Sequence, residues 1–108
     1  KDDFIMPFGV MGGQYQANGH ARVVSNIIDY GMDIQTAIDF PRSFPENGCL
    51  KLEEGYSDTV ASELENKGHR ILRPNQPIGG SQAIMYDVKK DVLIGGSDPR
   101  KDGCALGY

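Results

Sequence analysis

Two adjacent glycines, Gly12 and Gly13, close the run Gly9-Val10-Met11-Gly12-Gly13, with an apolar stretch before them and a helical pattern after. An acyl-transfer site must stabilise the negative oxygen of a tetrahedral intermediate. Neighbouring backbone amides in a loop that opens a helix are suited to that task, because they are already aimed and the helix end adds a favourable dipole. Residues without side chains also let the backbone approach a substrate carbonyl and adopt dihedrals closed to others. By residue type alone the pair reads first as a tight strand-to-helix turn, the commoner use of paired glycines. A phosphate loop is excluded: where Lys and Ser or Thr would grip phosphate and magnesium, the chain has Gln14 and Tyr15.

Side chains that could do chemistry are few. The only threonines, Thr36 and Thr59, fall inside predicted helices, and residue 1 is Lys1, so no hydroxyl is paired with its own free amine. His20 opens an amphipathic helix with no identifiable partner and reads as structural or solvent-facing. His69, one residue past a predicted helix end at Gly68, is expected to meet carbonyls or water. Ser97 beside Asp98 has the types of a nucleophile and a carboxylate, yet Gly95-Gly96-Ser97-Asp98-Pro99-Arg100 has Gly and Pro where a turn wants them. Two histidines and no cysteines at ligand spacing give no support for a zinc site. Arg42 and Arg100 each follow a proline at a predicted corner, where a guanidinium is expected to lock the loop by binding carbonyls or a carboxylate.

The elements that must position these residues follow from periodicity. Phe4 to Val10 reads as a short strand interrupted by Pro7, which places it at a sheet edge or makes it the tail of a strand begun upstream. Ala17 to Tyr30 has Val23, Val24, Ile27 and Ile28 at helical spacing, with Gly31 placed for a left-handed C-cap. Asp33 is expected to cap a short helix from Ile34 to Phe40, which Pro41 stops. Leu50 to Glu53 alternates as a strand, and Ser57 caps a helix through Lys67 with Val60, Ala61 and Leu64 inward and Gly68 at its end. Arg70 to Arg73, Gln82 to Asp87 and Asp91 to Gly96 read as strands, the last two joined as a hairpin through Val88-Lys89-Lys90. The sum is an α+β layered architecture with an antiparallel portion at the end. The pairs Gly12-Gly13, Gly79-Gly80 and Gly95-Gly96 imply close backbone approaches.

Composition bounds the function. The 108 residues suit a single domain, residues 1–108, able to bury roughly two thirds of its unfolded surface. With 15 acidic and 11 basic residues the net charge is -4. No Lys or Arg stripe is available to neutralise phosphates, so nucleic acid is not an expected partner. No apolar run reaches the ~20 residues of a membrane span. The start lacks a signal-peptide pattern, and because it is Lys1 rather than Met the natural amino terminus is expected upstream. Cys49 and Cys104 form one possible pair, weak support for a disulfide.

The closing stretch Gly95-Gly96-Ser97-Asp98-Pro99-Arg100-Lys101-Asp102-Gly103-Cys104-Ala105-Leu106-Gly107-Tyr108 resembles the carboxyl end of the gamma-glutamyltranspeptidases, a family of N-terminal nucleophile hydrolases. GVMGG resembles the family's oxyanion-hole loop, and Asn26 to Arg42, NIIDYGMDIQTAIDFPR, continues the likeness. Three separated motifs fall in family order; residues 43–80 match only loosely. The best-known members read SPGGSR where this chain has Val10 to Tyr15. GVMGG followed by Gln16 and Gly19-His20 looks more like a divergent branch that includes acylase and amidohydrolase relatives.

The resemblance implies the C-terminal portion of an αββα N-terminal nucleophile hydrolase sandwich, within the small subunit of a self-processing enzyme. It makes Gly12 and Gly13 the oxyanion amides for transfer or hydrolysis of gamma-glutamyl or related acyl amides such as glutathione. The implied nucleophile is an upstream threonine outside these residues, so the chain alone is expected to be inactive. No metal or organic cofactor is implied, and the implied partners are the amide substrate and the rest of the precursor, large subunit included. Half of a layered fold exposes apolar surface, so the isolated chain is expected to homodimerise or aggregate. The competing expectation is a free-standing, catalytically inactive binding or structural module of the same fold.

Overall fold

A proline that donates no hydrogen bond sets the edge of the main sheet. The computed structural model describes residues 3–108, and β1 (Phe4–Ile5) and β2 (Phe8–Met11) flank Pro7. Both pair antiparallel with β6 (Gly80–Asp87) in one unbroken register, from Phe4 opposite Asp87 to Met11 opposite Gly80. At the gap Pro7 only accepts, from the Ile84 N–H at 3.1 Å, so the strand survives its missing donor as an edge. On the other side of β6 lies β7 (Val92–Ser97), joined by the expected hairpin turn with Asp91 at φ 55°.

These strands belong to a compact unit of residues 3–39 and 79–108. Its helices are α1 (Gln16–Ile28) and α2 (Ile34–Asp39). Alternation along the strands puts Met6, Phe8, Ala83 and Met85 on one face, where they meet Ile34 and Ile38 of α2 and Ile27 of α1. Gly96 completes the contact, because a Cβ there would lie 2.3 Å from Ile34 Cγ2. Asp33 caps α2 as expected, Oδ1 accepting from the Thr36 N–H at 2.9 Å and Oδ2 from its hydroxyl at 2.6 Å. Gly31, at φ 67°, closes α1, with the Met32 N–H reaching back to the Asn26 carbonyl at 3.0 Å.

The inward stripe of α1 differs from the expected one. Val23 is buried and Ile27 half-buried, but Val24 and Ile28 are exposed, and their places are taken by Gly19 and Asn26. Asn26 spends its amide on the Ala37 carbonyl at 3.2 Å, tying α1 to α2. Among the described residues of this unit no helix packs on the other sheet face, where Ile5, Ile84 and Leu93 are 64, 52 and 69% exposed. The carboxyl-terminal tail crosses it, Ala105 against Gly95 and Gly103 against Ser97 and Gln82.

A second unit, residues 40–78, holds β3 (Ser43–Glu46), β4 (Cys49–Leu52), α3 (Asp58–Asn66) and β5 (Ile71–Leu72). β3 and β4 are antiparallel and β4 and β5 parallel. β3 goes beyond the elements expected from the sequence. Its hairpin turns on Asn47 and Gly48, both at positive φ, the Asn-Gly signal of a two-residue turn. Ser57 caps α3 by accepting from the Val60 N–H, and the Gly68 and His69 amides return to the Glu65 and Leu64 carbonyls. No side chain of α3 is fully buried, and Val60, expected inward, is exposed. Arg42 performs the expected lock, donating to the Ile78 carbonyl at 2.8 Å while only 3% exposed. Cys49 and Cys104 are both free thiols.

Candidate active site

Where β2 ends, the backbone leaves the sheet through two conformations that L side chains rarely adopt. Gly12 has φ 137° and ψ 26°, and Gly13 has φ 57°. A single 3₁₀ turn, Gly13–Tyr15, closed by the Tyr15 N–H on the Gly12 carbonyl at 3.1 Å, leads into α1. The expected order of strand, glycine pair and helix is therefore present, with one tight turn inserted. Both glycines are exposed. Among the described residues, no loop or cap hydrogen bond is donated by the Gly12 or Gly13 amide. A Cβ on Gly13 would meet nothing within 4 Å.

Gly12 differs in being tightly backed. A Cβ there would lie 2.9 Å from Gly79 Cα and 3.3 Å from Tyr15 Cδ1. Gly79, at φ 66°, has the same constraint, since its Cβ would sit 2.5 Å from the Met11 carbonyl oxygen and 2.7 Å from Tyr15 Cδ1. The Gly79-Gly80 pair thus makes the close backbone approach expected of it. Tyr15, 4% exposed, is the residue these glycines surround, a role the sequence reading gave no side chain. The available signal was the spacing of Tyr15 and Gly19, four apart on one helical face.

Behind this loop the start of β6 is pinned from below. The Ser81 hydroxyl donates to the Gly9 carbonyl at 3.1 Å, and the Ser81 N–H donates to Asp98 Oδ2 at 2.7 Å. Asp98, fully buried, also accepts from the Arg100 backbone N–H at 3.0 Å and its guanidinium at 3.2 Å. Arg100 in turn donates to the Ile38 and Asp39 carbonyls at the end of α2, the corner lock expected of it. The Ser97–Asp98 pair is consequently a turn and a strut. Ser97 is held by its backbone: its carbonyl accepts from Gln35 Nε2 at 2.9 Å and its N–H donates to Gln35 Oε1 at 3.0 Å.

The remaining candidates take structural places. His20 Nδ1 lies 2.7 Å from the Gln16 carbonyl, which can only accept, and its ring packs 5.4 Å from that of Phe8. The His69 N–H closes α3. Among the described residues no cluster of three His, Cys, Asp or Glu side chains could hold a metal, and no helix is long and apolar enough to cross a membrane. Resolved carboxylate shifts lie at turns. Asp33 is held below its ordinary value by the Thr36 hydroxyl and then the Thr36 amide, and Asp87 by the Lys90 amide.

Residues 1–108 match the family model described as Gamma-glutamyltranspeptidase. The chain belongs to that family. It is 31% identical over 108 residues to the glutathione hydrolase-like YwrD proenzyme of Bacillus subtilis, covering 93% of this chain and 21% of that protein. It is 37% identical to the cephalosporin acylase from Bacillus halodurans, whose crystal structure superposes with a TM-score of 0.83 over 94% of this chain and 20% of the other. The transpeptidase enzyme CapD of Bacillus anthracis, at 24% identity, shares the fold with a TM-score of 0.88 over 100% of this chain and 66% of its own. The chain thus spans about a fifth of the first two relatives. Its α+β fold is that of the C-terminal portion of the gamma-glutamyltranspeptidase N-terminal nucleophile sandwich.

Proposed function

We propose that this chain supplies the oxyanion hole of a gamma-glutamyltranspeptidase-like enzyme that transfers or hydrolyses gamma-glutamyl or related acyl amides, glutathione among them. A threonine from the preceding polypeptide, freed as an amino terminus by self-cleavage, adds through its hydroxyl oxygen to the amide carbonyl. Its own amine takes the hydroxyl proton and passes it to the departing nitrogen. As the carbonyl oxygen becomes negative, the Gly12 and Gly13 N–H groups donate to it. Collapse expels the amine and leaves an acyl ester on the threonine. Water or an acceptor amine then takes the acyl group and restores the hydroxyl. No metal or cofactor enters.

The observation supporting this most directly is a pair of exposed amides, unspent in loop and cap bonding, at a strand-to-helix junction of a chain in this family. The helix-free sheet face, with Ile5, Ile84 and Leu93 exposed, supports the remainder of the precursor as the natural partner. The match to a cephalosporin acylase keeps amides other than gamma-glutamyl ones within the substrate class.

Kinetics of the full-length protein test the reading. Gly13→Leu is expected to lower kcat on glutathione or a glutaryl amide by about a hundredfold or more, the loss typical of a missing oxyanion donor, while folding and subunit assembly persist. Unchanged turnover retires the oxyanion assignment. A full-length protein that neither cleaves itself nor hydrolyses either amide is instead the inactive binding or structural module.

A further inference from the structure

Three glycines on three different segments share one neighbour. A Cβ on Gly12 would lie 3.3 Å from Tyr15 Cδ1, one on Gly79 would lie 2.7 Å from the same atom, and one on Gly19 would lie 2.7 Å from Cε1. The same edge of the ring is therefore wedged between the oxyanion loop, the first turns of α1 and the entry to β6. Gly12 itself sits at φ 137°, outside the wells that chain preference would choose for a non-glycine residue, so something around it must hold it there. Its carbonyl is engaged by the Tyr15 N–H at 3.1 Å, and its α-carbon is caught between the Tyr15 ring and Gly79.

We propose that Tyr15 is the positioning residue of the oxyanion loop: its buried ring, seated among Gly12, Gly19 and Gly79, fixes the direction in which the Gly12 and Gly13 amides point. The inference rests on the oxyanion reading of those two amides. Tyr15 is 4% exposed, so the effect proposed for it on turnover passes through the loop it packs against. Amides held by packing need no reorganisation when charge develops, which is the condition for their contribution to the transition state. A smaller or rounder side chain would leave Gly12 free to relax and turn its amide away. Binding of the amide substrate in its ground state, where little charge has developed, would change far less.

The test is steady-state kinetics of the full-length protein with glutathione and a chromogenic glutaryl anilide, kcat being expressed per folded molecule from near-ultraviolet circular dichroism. Tyr15→Leu is expected to lower kcat at least tenfold with KM within about threefold of the parent, and Tyr15→Phe, which keeps the ring, to retain most of kcat. Tyr15→Met, of similar length but without a planar ring, replaces the leucine variant if that one does not fold. The proposal is overturned if the ring-less variant keeps its kcat per folded molecule, or if Tyr15→Phe loses as much as Tyr15→Leu. Gly13→Leu assayed in parallel separates the two ideas. If it loses turnover while Tyr15→Leu does not, positioning by Tyr15 fails alone; if Gly13→Leu is fully active, the oxyanion reading fails and this inference with it.

Discussion

Gly19→Ala sets two well-measured effects against each other. Inside a helix, alanine is favoured over glycine by about 1 kcal/mol, because glycine loses more backbone freedom on folding. Position 19 lies in α1, so propensity alone predicts a stabilised protein. Packing predicts the opposite. The new methyl would sit 2.5 Å from Val10 Cγ1 and 2.7 Å from Tyr15 Cε1, whereas carbon atoms rest at about 3.5–4.0 Å. Val10 and Tyr15 are 7 and 4% exposed, one on β2 and the other in the turn before α1, so neither is the loose end of a surface chain. Relief requires β2 and α1 to separate by roughly 1 Å or the ring to leave its slot, and such overpacking costs about 1–3 kcal/mol. With a double clash the cost belongs at the upper end, leaving a net loss of about 1–2 kcal/mol after the propensity gain. The assay is the guanidinium midpoint of the full-length protein, with exposed Asn18→Ala in the same helix as a control expected to gain on the order of 0.5 kcal/mol. If Gly19→Ala shifts the midpoint upward as the control does, Tyr15 is not confined and the packing argument for the loop collapses.

Asp98→Ala is expected to cost about 3 kcal/mol or more in the same denaturation experiment, because it strands the Ser81 N–H and removes the buried partner of Arg100; a loss below about 1 kcal/mol would contradict the strut. Asp33 has a depressed folded value, so its contribution is present above the unfolded value and lost as pH falls through the folded one. Asp33→Ala should therefore destabilise at pH 7, and the gap to the parent should close below about pH 4; a gap constant with pH would refute the assignment. The isolated 108-residue chain is expected to self-associate through Ile5, Ile84 and Leu93, and Leu93→Lys to reduce that association in sedimentation velocity; a parent that stays monomeric at tens of micromolar would refute it.

Much of the fold was legible because local rules and tertiary demands agreed. Pro7 announces an edge strand, Asp33 and Ser57 announce helix starts, and Gly31 and Gly68 announce helix ends, each through a backbone group that needs a partner. Disagreement begins where a face is chosen by packing. Four apolar residues in α1 predict one stripe, yet a helix buried against β2 needs a glycine at position 19 to come close, and that rotates Val24 and Ile28 outward. Asn26 is buried because the Ala37 carbonyl needs a donor, a demand set by the placement of α2 and absent from the periodicity of α1. Strand β3 contains Pro45, which argues against a strand. The Asn47-Gly48 turn overrides that argument by folding residues 43–46 back onto β4.

The candidate site was harder to read for a chemical reason. The working groups proposed for it are main-chain N–H donors, which every residue but proline possesses, so no side-chain type marks them. What the sequence can show is only where side chains are missing, and a missing side chain serves a tight turn as well as a reacting carbonyl. The proposed use requires that both amides be unspent, a condition an ordinary turn also meets. In a turn of this kind only the fourth residue's amide is bonded, here Tyr15 on the Gly12 carbonyl, and the Gly12 and Gly13 amides make no loop or cap bond among the described residues, which leaves them available to an acceptor. The two glycines differ in their surroundings: Gly12 is backed by Gly79 and Tyr15, whereas nothing lies within 4 Å of a Cβ built on Gly13. On the reading proposed above, the clamp on Gly12 would supply the rigidity that a preorganised donor needs, and the conformation that only glycine adopts easily would be fixed before any charge develops.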